Sequence, residues 1–187
     1  AEMARICAAH NVLLIVDEVM TGFGRTGAMF ACERAGVKPD ILCLAKGLTG
    51  GSIPLAATLS AAAIFDAHLS TDRTKTFFHS SSFTANPIAC AAACANLQIW
   101  RNEPVLSRVD ALTSAHAPLL AELAKQNRFT NLRQIGTIAA MDLNVRETGY
   151  LANAGLEMRK AFLKRGVLLR PLGNTIYIMP PYCTTQD

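Results

Sequence analysis

Asp17 and Glu18 close the apolar run of LLIVDEVMTGFGRTG, and Lys46 closes the next one, in DILCLAKG. In open α/β sheets the ligand crevice lies at the carboxyl ends of the strands, so charges placed there are candidates for function. An apolar run that ends in Asp-Glu has two readings. It holds Mg²⁺ in P-loop nucleotide triphosphatases, or it delivers one Asp to a cationic ring. Lys46 is the second signal. Lysine is seldom placed at the end of an apolar strand without a task, and an amine held there serves as a nucleophile or a base. The loop His79-Ser80-Ser81-Ser82 carries three hydroxyls ahead of a helix start. No GxSxG elbow accompanies it, so anion binding suits it at least as well as hydrolysis. Arg170 ends VLLRP, where a guanidinium fork suits a carboxylate. Arg25 sits inside the glycine-rich turn.

The elements that must position these groups follow from pattern. VLLIVDE, DILCLAKG and PLAATLS have the length and continuity of strands buried on both faces, as in a parallel sheet. MFACERAG reads as a short helix closed by Gly36. SAAAIFDAH reads as another, and TKTFFHSSSFTANP as a loop with a strand start. PIACAAACANLQIWR is a helix of small residues with Pro87 in its first turn, where proline is tolerated. Leu106, Val109, Leu112, Leu119, Leu120 and Leu123 recur at helical spacing, with Pro118 expected to kink or interrupt that helix. FTNLRQIGTIAAMDLNV predicts strands broken at Gly136, and NAGLEMRKAFLKRG a helix ending at Gly166. VLLRP and TIYIMPP predict short strands joined by a Gly173-Asn174 turn. The alternation argues for an α/β fold with a mostly parallel sheet over residues 1–101, followed by a smaller α+β part over 102–187.

The chain has 187 residues, 51% hydrophobic and 17% charged, with a net charge of +4. That composition supports a sizeable core. The basic residues are scattered, which argues against a nucleic-acid partner. Six cysteines form no CxxC pair and no zinc-ligand spacing, so reduced thiols, no metal and a cytoplasmic location are expected. No apolar run approaches a membrane span, and no membrane partner is expected. The chain starts inside a helix pattern and stops just past a strand, which predicts an internal piece of a longer protein.

The P-loop reading also needs GxxxxGK[ST], which does not occur in the chain. It gives no role to TGFGRTG followed by a strand-end lysine. VDEVMTGFGRTG, PDILCLAKGLTGG and FFHSSSFTANPIACAAA, in that order, resemble the core of the class III (ω-type) aminotransferases, pyridoxal 5′-phosphate enzymes of fold type I. The resemblance covers essentially the whole chain. It implies that Lys46 bonds to the cofactor and shuttles a proton, and that Asp17 pairs with the ring nitrogen. It also implies that Val19 packs on the ring, and that Ser81 and Ser82 reach the phosphate across a homodimer with shared active sites.

FGRTGAMFACERAGVKPDILCLAKGLTGG and GVLLRPLGNTIYIMPPY are most similar to the biotin-biosynthesis branch of that class. Members there move an amino group from S-adenosylmethionine to 8-amino-7-oxononanoate. By the same resemblance Arg170 binds the substrate carboxylate, with Ser80, Arg25 and Tyr177 as further substrate-binding candidates. A generic ω-amine:pyruvate aminotransferase is the alternative. The family's glycine-serine phosphate loop and ring-stacking aromatic lie outside this chain, so the piece alone is expected to be inactive and to bind cofactor poorly.

Overall fold

Apolar runs become strands and small-residue runs become helices in the computed structural model, which describes residues 1–79 and 81–185. In chain order the elements begin with α1 (Glu2–Ala9), β1 (Ile15–Asp17), α2 (Ala31–Arg34) and β2 (Ile41–Leu44). A 3-10 turn at Lys46–Thr49 leads to β3 (Ala57–Ser60) and α3 (Ala62–His68), and a second turn at Arg73–Lys75 to α4 (Pro87–Asn102). Then come α5 (Val105–Leu123), β4 (Phe129–Ile135), β5 (Ile138–Leu143), α6 (Ala154–Leu163) and β6 (Thr175–Ile178). They form two units. One comprises Ala1–Phe23 and Ala28–Pro104, the other Gly24–Gly27 and the chain from Val105 onward.

In the first unit the sheet order is β1-β2-β3. β1 and β2 are parallel, with Asp17 opposite Cys43. β3 runs antiparallel to β2, with Leu44 opposite Ala57. The link between them is a 3-10 turn and a loop without a crossover helix, so the chain doubles back. The VLLIVDE run departs from the expectation of burial on both faces, since Leu13 and Ile15 are exposed. Among the described residues no element packs over those side chains closely enough to bury them, and β1 is paired on one side only. No strand appears at the start of the 76–86 loop among the described residues. α4 begins as its sequence dictates: Asn86 Oδ1 accepts from the N–H groups of Ile88 and Ala89, with Pro87 at the first turn. Buried Ala93 lets α4 approach the core of Phe23, Leu44 and Leu48. Each of those three larger side chains contributes about 2 kcal/mol by leaving water. Phe23 is the hub, edge-on to Phe30 at 5.7 Å between ring centres and tilted against Trp100 at 6.2 Å.

The second unit has the antiparallel order β4-β5-β6. α5 buries Val105, Val109, Leu112 and His116 along one stripe and runs through Pro118 unbroken, contrary to the expected interruption. Packing of that stripe outweighs the local cost of the proline. The strand expected at VLLRP is also absent. Residues 167–170 carry no strand pairing, and only Leu172 bridges to Thr175. Asp142 ties the three strands, accepting from Asn131 and Arg133 on β4 and Thr175 on β6. The strap Gly24–Gly27 belongs to this unit. Thr137 N–H donates to the Arg25 carbonyl at 3.1 Å. Gly136, at φ +53, leaves no room for a side chain, since a Cβ there would lie 2.4 Å from Gly27 N.

Candidate active site

Lys46 sits where β2 gives way to the 3-10 turn, in the left-handed region at φ 44. That conformation costs a non-glycine residue on the order of 1 kcal/mol and persists only where the surroundings impose it. Two neighbours impose it here. Asn96 of α4 donates from Nδ2 to the carbonyls of Gly47 at 2.8 Å and Leu48 at 3.1 Å. Phe23 presses on Gly47 so closely that a Cβ there would stand 2.7 Å from its ring.

Asp17, at the end of β1, is exposed, and its Oδ1 accepts the Val19 N–H at 2.9 Å. Its second oxygen has no partner among the described residues, and neither has Lys46 Nζ. Val19, Lys46, His79, Ser81, Phe83 and Thr84 help line a cavity of about 770 Å³. Ser82 is exposed and does not line it. Ser80 lies outside the described residues. An amine, an apolar wall, hydroxyls and a nearby carboxylate with a spare oxygen suit a phosphorylated, cationic aromatic aldehyde. An amine can bond such an aldehyde, and a carboxylate can answer the ring charge.

The second unit has its own cavity of about 820 Å³, lined by Arg170, Tyr177, His116, Leu119 and Met179 among others. The Arg170 guanidinium has no partner among the described residues and is free to meet an anion. His116 is 5% exposed and its Nδ1 is unpartnered among the described residues. Burial holds its imidazole below the ordinary histidine value. Arg25 is engaged elsewhere in this unit. Its Nη1 donates to the Pro180 carbonyl at 2.7 Å, and its guanidinium lies over the Tyr182 ring at 4.6 Å. Burial pushes the Tyr182 phenol up, against the pull of the Arg25 charge.

The sequence reading missed Asn96 and the depth of Glu18. A clue existed for each. An Asn in the middle of an alanine-rich helix is locally unfavourable and implies a distant partner. A residue following Asp17 along a strand must face the opposite side.

The family model for class III aminotransferases matches residues 1–187. A relative from Synechococcus elongatus, named adenosylmethionine-8-amino-7-oxononanoate aminotransferase, is 51% identical over 97% of this chain and 42% of its own length. The crystal structure of the enzyme of that name from Methanocaldococcus jannaschii superposes with a TM-score of 0.89 at 36% identity, covering 97% of this chain and 44% of that one. An (S)-enantioselective omega-transaminase from Thermomicrobium roseum superposes equally well, with a TM-score of 0.89, at 30% identity over 98% of this chain and 42% of its own. The chain thus spans about two fifths of the length of the relatives it matches.

Proposed function

Because the chain belongs to the class III aminotransferases, whose cofactor is pyridoxal 5′-phosphate, we propose that the full-length protein is the aminotransferase of the biotin pathway. It moves an amino group from S-adenosylmethionine to 8-amino-7-oxononanoate, giving 7,8-diaminononanoate. The observation that carries the choice of substrates is the 51% identity, over nearly the whole chain, to a relative bearing that name. The observation that supports the chemistry is the Lys46 amine, without a partner among the described residues, lining one cavity with Val19.

When bound, pyridoxal phosphate supplies an electron-withdrawing ring that stores the electron pair left as a proton leaves carbon. The chain's residues do the rest. Lys46 would hold the cofactor covalently through Nζ until the incoming substrate amine takes its place, and the freed amine would then take a proton from one carbon and return it to another. Arginine could not replace it, because a guanidinium does not deprotonate in proteins. Asp17 keeps a proton on the ring nitrogen by offering its free oxygen, and Val19 covers a ring face. Ser81 and Ser82 donate to the phosphate of the partner subunit's site in a homodimer with shared active sites. Arg170 takes the substrate carboxylate, with Tyr177 beside it in the same cavity and Ser80 as a further substrate contact. Arg25 contributes by fixing the segment through Pro180 and Tyr182 that follows Tyr177. The large domain then takes in residues 1–101 and the small one 102–187, and the enzyme works in the cytoplasm.

The visible absorbance of the lysine-bound cofactor in the full-length protein tests the central claim. Lys46→Ala is expected to abolish that band, and a band that survives the change sinks the assignment. The superposition on the omega-transaminase keeps a second reading open, an ω-amine:pyruvate aminotransferase. Turnover of an ω-amine with pyruvate, and none with S-adenosylmethionine and 8-amino-7-oxononanoate, would favour it.

A further inference from the structure

Glu18 is the most deeply buried ionisable side chain among the described residues, at 0% exposure, and none of the roles above uses it. Successive side chains of an extended chain point to opposite sides. Asp17 is exposed while Glu18 enters the core of the first unit. Its Oε1 accepts the backbone N–H of Cys32 at 2.7 Å, and its Oε2 accepts the Thr21 hydroxyl. The Cys32 thiol also hydrogen-bonds to this carboxylate; burial first, and then Glu18, pushes that thiol up. The backbone of Glu18 is held as well. Its N–H donates to the Cys43 carbonyl at 2.9 Å, extending the β1–β2 ladder, and its carbonyl accepts from Gly22 N–H at 2.9 Å.

The Asp17 Oδ1 to Val19 N–H bond spans this pinned residue. Rotation of either peptide flanking Glu18 would break that bond and turn the Asp17 carboxylate and the Val19 side chain away together. An apolar residue would fill the same space without the cost of burying a carboxylate, so stability alone does not explain the acid. We infer that Glu18 is a positioning residue, the buried anchor that holds Asp17 and Val19 in their working orientation. The inference rests on the cofactor roles proposed for those two residues.

The test uses the full-length protein with Glu18→Ala, and Asp17→Asn as the reference. In the cofactor-free form, amide hydrogen exchange at Val19 and Gly22 is expected to quicken at least tenfold relative to the amides of α4. In the cofactor-loaded form, the visible band is expected to move in the same direction as in Asp17→Asn. kcat is expected to fall at least tenfold while KM stays within threefold. Unchanged exchange at Val19 overturns the inference. So does a variant with a lowered melting temperature but wild-type band and kcat, since Glu18 would then be structural only. If Glu18→Ala does not fold, Thr21→Val removes one donor to the carboxylate, keeps the shape and is judged by the same criteria. The exchange measurement needs no cofactor, so its outcome is separable from that of the Lys46→Ala experiment.

Discussion

An arginine with no partner among the described residues, lining a largely apolar cavity, is prepared for an anion with two oxygens. Arg170 meets that description. Its value lies in the fork rather than the charge, because a guanidinium engages both carboxylate oxygens at once and an ammonium does not. Arg170→Lys in the full-length enzyme is therefore expected to raise KM for 8-amino-7-oxononanoate by about tenfold or more. kcat should move much less, because the contact is made in ground and transition state alike. Steady-state kinetics with that substrate varied checks this. Arg25, from the same sequence, gives its guanidinium to a carbonyl and an aromatic ring, and only the fold could reveal those contacts.

Each element places one chemical group, and what places the element is often remote in sequence. The Lys46–Thr49 turn depends on Asn96, forty-nine residues from Gly47. Asn96→Ala takes the side-chain donor from the Leu48 carbonyl and leaves the Gly47 carbonyl only the Gly50 N–H, at an expected cost of about 1–3 kcal/mol. The lysine-bound visible band should weaken as Lys46 loses its fixed direction. Gly47→Ala drives a methyl into Phe23 and should do the same more severely. Denaturant melts and absorbance spectra of the two full-length variants check both.

The sequence made the lysine and Asp17 legible because both are charges ending apolar runs. It hid their supports. Asn96 looks like a helix-face residue until α4 docks, and Glu18 looks like a second surface acid until the core closes around it. The strands were legible for the same reason as Lys46, by their continuous apolar runs. VLLRP misled because an apolar run of strand length becomes a strand only where it pairs, and residues 167–170 pair with no strand among the described residues. Pro118 does not interrupt its helix, since packing along Val105, Val109, Leu112 and His116 overrode a local breaker.

For the molecule as a whole, His116 ties stability to pH. Burial lowers its folded value below the ordinary 6.5, so the unfolded chain binds the proton more readily. The stability this residue allows is present above pH 6.5 and is lost as pH falls through the depressed folded value. Melting temperatures between roughly pH 7 and pH 5 should fall with acid, and His116→Gln should flatten that slope. The strap Gly24–Gly27 bears on a different property, the order of events in biosynthesis. Arg25 leaves the ribosome 155 residues before the Pro180 carbonyl that it binds. At typical rates of synthesis that gap is roughly ten to thirty seconds. For the first 112 residues of that gap the strap lacks its hairpin partner Thr137, and until the end of it the strap lacks the Pro180 carbonyl, so the second unit cannot finish folding before then. Its last step is a late closure on a segment made much earlier, and a pause in translation before β6 would lengthen the exposure of Arg25 rather than shorten it.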